Sequence, residues 1–542
     1  MQYPDKINNL KRFKWLFTPA TYIIVLCIGI FVLRIPNLVP PRLSVDEDQW
    51  VVTGTAYAHG GVFWKTISGN TSGPLVYALP LIMAPIDGLN NCTIRIFGLL
   101  FCIIPAIYFL WKTLKLLYGD ITAQIGVISL FIYIASIDEG EFIAYNSEHL
   151  PMMLSSLSIF LLFSIVRSND ISLKNLASLG IVLGLMPYGK LQIVPAGFCI
   201  GALGLFEIAS RNTTLLKMRA RAILTLTIGA LLPSLFIALY LTRHNAWDDF
   251  WNNYIVNNLL YMSHRGGSAQ AFEPLKGTGK LTFVITLILK NHYLTKFVLS
   301  QLMVVLAIII LQFNKSLFRS RVLWYSIFIA LSAYISVISP GNPFSHYIYL
   351  FIIPFVFVTS CFIGESLSIT DPAGSSKSYR LVYFVPLFIY ITLVLWKSPM
   401  PQGTHFILSK QTLSISDASK EIRKYAHPGE YMSVWGWGIY SFIETDLILG
   451  NKSASLFYEM YTLENPSLLD EYLSYMKANK PIVFFDVQPE ISNRKERFRH
   501  EHYPKLNDYI TQNYKEVGEY DGKRIYILNE RQRAIDSLAI HQ

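Results

Sequence analysis

The sequence predicts an α-helical polytopic membrane protein that carries a C-terminal external α/β domain. Three observations predict it. Hydrophobic residues make up 52% of the 542-residue chain against 15% charged, and the mean hydropathy of +0.37 lies outside the range of soluble globular domains. Apolar stretches long enough to cross a bilayer recur as far as residue 397. Beyond residue 398 they stop, and short segments with strand and helix periodicity replace them.

Taken in order, the spans fall near 18–39, 93–117, 121–137, 149–167, 175–189, 192–209, 222–242, 296–313, 322–339, 346–363 and 380–397. Eleven is an odd number, so the termini are expected on opposite sides. Lys6, Lys11, Arg12 and Lys14 precede the first span, and alternate loops then carry Lys112 and Lys115, Arg167 and Lys174, Arg211 to Arg221, Lys315 to Arg321, and Lys377 with Arg380. The positive-inside rule makes that side cytoplasmic. Asp46, the 138–148, 243–295 and 340–345 loops and everything after 398 are then external, as expected for a multi-pass protein of a cell inner membrane.

The net charge of +10 is therefore mostly topology, and no basic patch interleaved with aromatics suggests a nucleic-acid partner. The run Tyr22–Leu33 has no small-residue cleavage site beside it and reads as a signal anchor. All five cysteines lie in or beside spans, none after 398, so the external domain is expected without disulfides, which suits a bacterial periplasm.

The first external loop, about residues 40–91, is too long and too aromatic for a plain connector. It opens with Asp46-Glu47-Asp48 just past the first span. Carboxylates so close to hydrocarbon raise one another's pKa and are costly unless water, a cation or a substrate engages them; the alternative is a solvated helix end. Gln49–His59 follows as an expected amphipathic helix, with Trp50, Val51, Ala56 and Tyr57 available to lie on the membrane and Gly60-Gly61 to end it. Thr71–Tyr77 is then a turn and an apolar segment.

The order of a first span, Pro40-Pro41, the acidic pair Asp46-Glu47, a helix ending in glycine and the Pro74-Leu75-Val76-Tyr77 segment resembles the first periplasmic loop of the GT-C membrane glycosyltransferases. The likeness is to the branch that holds the protein O-mannosyltransferases and the lipid A aminoarabinose transferases. Asn146-Ser147-Glu148-His149-Leu150, Gly184–Lys190, and Phe344-Ser345-His346-Tyr347 with Phe351–Pro354 resemble later family segments, so the similarity runs over about residues 20–365. One departure is clear: members often carry Lys before the Pro-Leu segment, where this chain has Ser72-Gly73.

The resemblance implies transfer of a sugar from a polyprenyl-phosphate donor to a hydroxyl on a lipid, glycan or protein, at the external face. Asp46 matches the catalytic base, Glu47 the residue that orients it or the acceptor, and Glu148 a second carboxylate toward sugar or acceptor; Asp48, Asp138, Glu139 and Glu141 are expected in solvent. Lys190, Arg265, His346 and Tyr347 are the candidates for the donor phosphate, Arg265 within a glycine-rich 243–295 loop that reads as a lid. Interfacial snorkelling of Lys190 and anchoring by Tyr347 are the plain alternatives, and for Arg34 the expected role is structural pairing with a carboxylate. No cofactor is expected: no His/Cys/Asp cluster has metal-ligand spacing, and a divalent cation is compatible with the site without being indicated by it.

Two other functions fit the same composition. A glycan ligase or polymerase would use the same lipid-linked substrates, and a lipid or sugar transporter would also bury charges, although no inverted repeat is evident. In the 398–542 region, Ser416–Tyr425, Pro466–Lys477 and Tyr503–Tyr514 read as helices, and Tyr431–Trp435, Ile482–Phe485 and Lys523–Leu528 as strands. Trp435-Gly436-Trp437-Gly438 lacks the third glycine of a dinucleotide loop and reads as a tight strand-to-helix turn.

Overall fold

The computed structural model describes residues 18–540 apart from 41, 169, 212–214, 264–277, 312–316, 341–343, 371–387, 391, 393–414, 455–465 and 488–498. Among the described residues, eight helices are long and apolar enough to cross a membrane: Pro19–Leu38, Asn91–Tyr118, His149–Arg167, Leu191–Ser210, Leu216–His244, His292–Ile310, Arg321–Ile338 and Ser345–Ile369. Asp120–Ser136 and Leu173–Gly189 are shorter apolar helices at two more expected spans. The expected span 380–397 lies almost wholly outside the described residues.

Local chemistry sets several helix starts. Thr18, with Pro19 at the first helical position, accepts a hydrogen bond from the backbone of Thr21. Ser172 and Ser320 cap their helices in the same way. The helices Leu173–Gly189 and Leu216–His244 pack backbone to backbone: a Cβ at Gly180 would lie 2.3 Å from the Leu226 carbonyl and one at Gly184 2.2 Å from that of Ala230. Glycines four apart are what such an approach between membrane helices requires. This contact fixes the helix whose last turn leads into Lys190.

The 243–295 stretch is not simply a loop. Its described parts hold Trp247–Ser263 in successive α, π and α turns, and a helix Thr278–Lys290. The second escaped notice because glycines and lysines flank a short apolar core.

The C-terminal region folds around a five-stranded sheet in the order β2-β1-β3-β5-β4, with β1 Tyr431–Gly436, β2 Ile448–Leu449, β3 Val483–Val487, β4 Tyr514–Tyr520 and β5 Lys523–Leu528. Strands β2, β1 and β3 are parallel, while β5 runs antiparallel to both β3 and β4. Asp521-Gly522, both at positive φ, close the β4–β5 hairpin. Strand alternation sends Phe484 to one face, with Trp435, Tyr472, Leu506 and Tyr514, and Val483 and Phe485 to the other. The Gly436 turn between β1 and the Tyr440–Thr445 helix has the form expected of it. Tyr514–Tyr520 is a strand where the sequence suggested only the end of a helix.

This region sits on the first loop. The Arg42 guanidinium lies 3.4 Å above the Tyr440 ring and pairs with Glu444 at 2.5 Å. Buried Lys452 pairs with Glu471 at 2.9 Å and with Asp249 at 3.4 Å, its carbonyl accepts from Ser68 N–H at 2.8 Å, and Tyr475 donates to the Lys65 carbonyl at 2.6 Å. The sheet region therefore shares one side of the helical bundle with Asp46. Its cover also explains why the Val45–Ala58 helix differs from the amphipathic one expected: Trp50, Val51 and Ala56 are buried against protein, and the helix starts earlier, taking the acidic triplet into its first turn. Carboxylates there favour the helix N-terminus, where backbone N–H groups are unpaired.

Candidate active site

Ser44 caps the Val45–Ala58 helix, its Oγ accepting from Asp46 N–H at 3.3 Å. Successive side chains on a helix point about 100° apart, so the three acids meet three environments. Asp46 opens onto a cleft, its side chain 46% exposed. Glu47 turns inward and is fully buried. Its Oε1 accepts from Tyr145 N–H at 2.7 Å, and Arg95 donates from Nε at 2.9 and 3.0 Å and from Nη2 at 2.5 Å. Glu47 thus faces Arg95 rather than the cleft, and acts on Asp46 by fixing the turn that carries it.

Asp48 is buried as well, contrary to its expected place in solvent. Asn91 donates to it at 2.7 Å, yet burial, helped by neighbouring Glu47, raises its carboxyl to about 7. A folded pKa above the ordinary 3.8 means that the folded state holds the extra proton, so the stability this neutral carboxyl contributes is present below about pH 4 and lost as pH rises through 7. Asp48→Asn is therefore expected to melt a few degrees above the wild type at pH 8, the difference closing near pH 4. Thermal melts of the detergent-solubilised protein across that range check it, and equal melting temperatures at pH 8 would refute the buried, protonated Asp48.

Around Asp46 further charged or titratable groups converge. His346 sits at the start of the Ser345–Ile348 turn, buried, with Nε2 3.9 Å from both Asp46 Oδ2 and Glu148 Oε1, and Nδ1 3.6 Å from Glu141 Oε2. Lys190 Nζ pairs with Glu148, donates to Ser147 Oγ at 2.8 Å, and lies 4.7 Å from the centre of the Tyr347 ring. Tyr347 Oη in turn meets Tyr261 Oη at 2.9 Å. The expected residues Asp46, Glu148, Lys190, His346 and Tyr347 therefore share one cleft, and Arg265 lies outside the described residues.

Glu141 joins them although it was expected in solvent. Ser345 donates to it, and His346 holds its carboxyl below the ordinary range against the cost of burial. Arg34, expected to pair with a carboxylate, instead fixes the segment that carries Glu141 by donating to the carbonyls of Ile137, Phe142 and Ile143 at 3.3 to 3.5 Å.

The carboxylates are driven apart electrostatically. Desolvation between the cleft walls raises Asp46 above the ordinary aspartate value, against the pull of His346 and Lys190. Burial also acts to raise Glu148, but there Lys190 and His346 outweigh it and hold the group below its ordinary value. Asp46 is thus the group suited to take a proton, and Glu148 a fixed anion that orients a cation.

Lys190 reaches this cleft by an unusual route. Gly73 N–H donates to the Gly189 carbonyl at 2.8 Å, and Ser72 pairs with Lys190 in an isolated antiparallel bridge. Any side chain at 73 is barred, since a Cβ there would lie 2.0 Å from the Tyr188 carbonyl. The Ser72-Gly73 departure therefore brings the first loop against Lys190. Beside it, Thr71, Gln192, Asn258, Tyr261 and Tyr347 line a small cavity.

Arg95 was not singled out in the sequence, although a cation just inside an expected span was the available signal. Glu141 offered none, because its partners lie about two hundred residues away in the chain.

Comparison with solved structures gives two close matches in architecture. ArnT from Cupriavidus metallidurans in the apo state aligns with a TM-score of 0.54 at 13% identity over 94% of this chain and 98% of that one. ArnT bound to undecaprenyl phosphate aligns with a TM-score of 0.55 at 12% identity over 95% and 98%. At such identity the likeness shows the fold alone: membrane helices with a C-terminal sheet region, as expected from the sequence. No family model and no curated protein sequence matches the chain.

Proposed function

We propose that this protein is an integral membrane glycosyltransferase that moves a sugar from a polyprenyl-phosphate donor to an acceptor hydroxyl at the external face of a cell membrane. The observation that carries the reading is the convergence of Asp46, Glu148, Lys190, His346 and Tyr347 in one cleft beside the spans. Asp46 takes the acceptor proton as the hydroxyl attacks the anomeric carbon and the bond to the lipid phosphate breaks. Lys190 and His346 are the described cations set to meet the phosphate charge that develops on departure, with Tyr347 as a further donor. Glu148 and Ser147 hold the Lys190 ammonium in place until a phosphate competes for it. The fold shared with a protein solved in complex with undecaprenyl phosphate supports a lipid-phosphate donor. Ser72 bridged to Lys190 supports that lysine as the cation missing before the Pro74-Leu75 segment.

The test supplies purified protein with candidate polyprenyl-phosphate sugars and nucleotide sugars in parallel. Sugar transfer with release of polyprenyl phosphate is the expected result. Transfer from a nucleotide sugar alone would refute the donor class, and movement of the lipid-linked sugar across vesicles without transfer would favour a transporter.

A further inference from the structure

The C-terminal sheet region holds a polar cluster that the proposed reaction does not use. Asp486 lies near the C-terminal end of β3, the end of a parallel strand where open α/β sheets leave a crevice. His500 and Glu501 arrive beside it on the short His500–His502 turn. One ligand-type atom from each of the three lies within 4.8 Å of the others. His500 Nδ1 is 2.5 Å from Asp486 Oδ2 and 3.3 Å from Glu501 Oε2.

We propose that Asp486, His500 and Glu501 form a binding site for a divalent transition metal of the zinc class. A plain ion-pair network is the competing account, because Arg524 donates to Asp486 Oδ2 at 2.9 Å and pairs with Glu501. That account leaves one atom unexplained. His500 and Arg524 both meet Asp486 through Oδ2, whereas Oδ1 is buried without a partner among the described residues, in a residue only 1% exposed. A bare buried carboxylate oxygen is costly; a metal on this carboxylate engages it.

The rest of the cluster is arranged as a metal site needs. The His500 ring is held edge-on between Phe484 and Tyr526, centroids 5.4 and 5.3 Å away, so its Nδ1 has one direction in which to point. Arg524 holds the two carboxylates in place from outside, as partners of metal-binding carboxylates do. Two carboxylates and one guanidinium leave a net negative charge for a dication to offset. One imidazole nitrogen with two carboxylates suits zinc better than calcium or magnesium, which favour all-oxygen shells. Glu501 is 38% exposed, which leaves a side open for water. The site joins the end of β3 to the chain beyond residue 498, a separation no sequence motif displays.

The test uses the full-length protein in detergent, stripped with a chelator and then titrated with zinc sulfate alone, by calorimetry and by thermal melting. The expected result is one equivalent bound with a dissociation constant on the order of a micromolar or tighter, with a rise in melting temperature. Both effects should vanish in His500→Gln and Asp486→Asn and persist in the Asp46→Asn/His346→Gln double variant, which alters the carboxylate and imidazole of the cleft and serves as the control. Should the buried variants fail to fold, the partly exposed Glu501→Gln substitution decides the matter, with binding weakened about tenfold or more. Absence of binding in the wild type, binding unchanged by His500→Gln or Glu501→Gln, or binding lost in the cleft variant would each overturn the proposal.

Discussion

Asp46→Asn is expected to leave the protein folded and able to bind its lipid donor while cutting turnover about a hundredfold to ten-thousandfold, the usual range for loss of a general base. The substitution keeps shape and removes only proton affinity. Its side chain is half open to the cleft, and its ion-pair partner among the described residues, His346, is 3.9 Å away, so no tight buried ion pair is broken. Because desolvation raises Asp46, turnover should also fall on the acid side at a pH above that of an ordinary aspartate, as the base becomes protonated. Glu148→Gln should retain more turnover, since Ser147 still holds Lys190. Steady-state rates with a polyprenyl-phosphate sugar, taken beside melting curves for each variant, measure this. Near-normal turnover in Asp46→Asn would remove it from the chemistry.

What the sequence revealed follows from the range of the forces involved. Span positions depend on local hydropathy and length, and ten of the expected eleven have a described helix. Glu148, Lys190 and His346 begin or end such helices, but they were named on the resemblance of their short segments to a known family, not on hydropathy. Which acid of Asp46-Glu47-Asp48 faces the cleft was less secure, because it depends on where the helix starts and on Arg95 and Asn91 across the fold. Glu141 looked like a loop acid in water until Ser345 and His346 were folded against it. The edge strand Tyr514–Tyr520 was hidden by charge, as Lys515, Glu516 and Glu519 mask its alternation. Charge on an edge strand is also what keeps such an edge from pairing with other chains.

Breaking the Glu47–Arg95 pair should have the largest effect on stability of any single change around the site. Both side chains are at most 2% exposed, and removing one partner strands the other's charge in the interior, at a cost of about 3–5 kcal/mol. The pair also ties several segments together. Arg95 Nη1 donates to the carbonyl of Pro40 at 2.5 Å and of Leu38 at 3.2 Å, while Glu47 receives Tyr145 N–H and Asn91 Nδ2. Asp46 is the residue before Glu47, and Glu148 comes three after Tyr145, so this one contact sets the spacing of both cleft carboxylates. Arg95→Met should therefore melt far below the wild type. Arg95→Lys should recover only part of the loss, because an ammonium cannot reproduce a guanidinium fork that reaches Glu47 and two carbonyls together. The Glu47→Met/Arg95→Met double variant separates charge from packing: with no stranded ion it should melt well above Arg95→Met alone. Its turnover should stay low, because restored stability does not restore the placing of Asp46. An Arg95→Met protein with wild-type melting behaviour would refute the account, and a double variant no more stable than Arg95→Met would show that lost packing, not stranded charge, sets the cost.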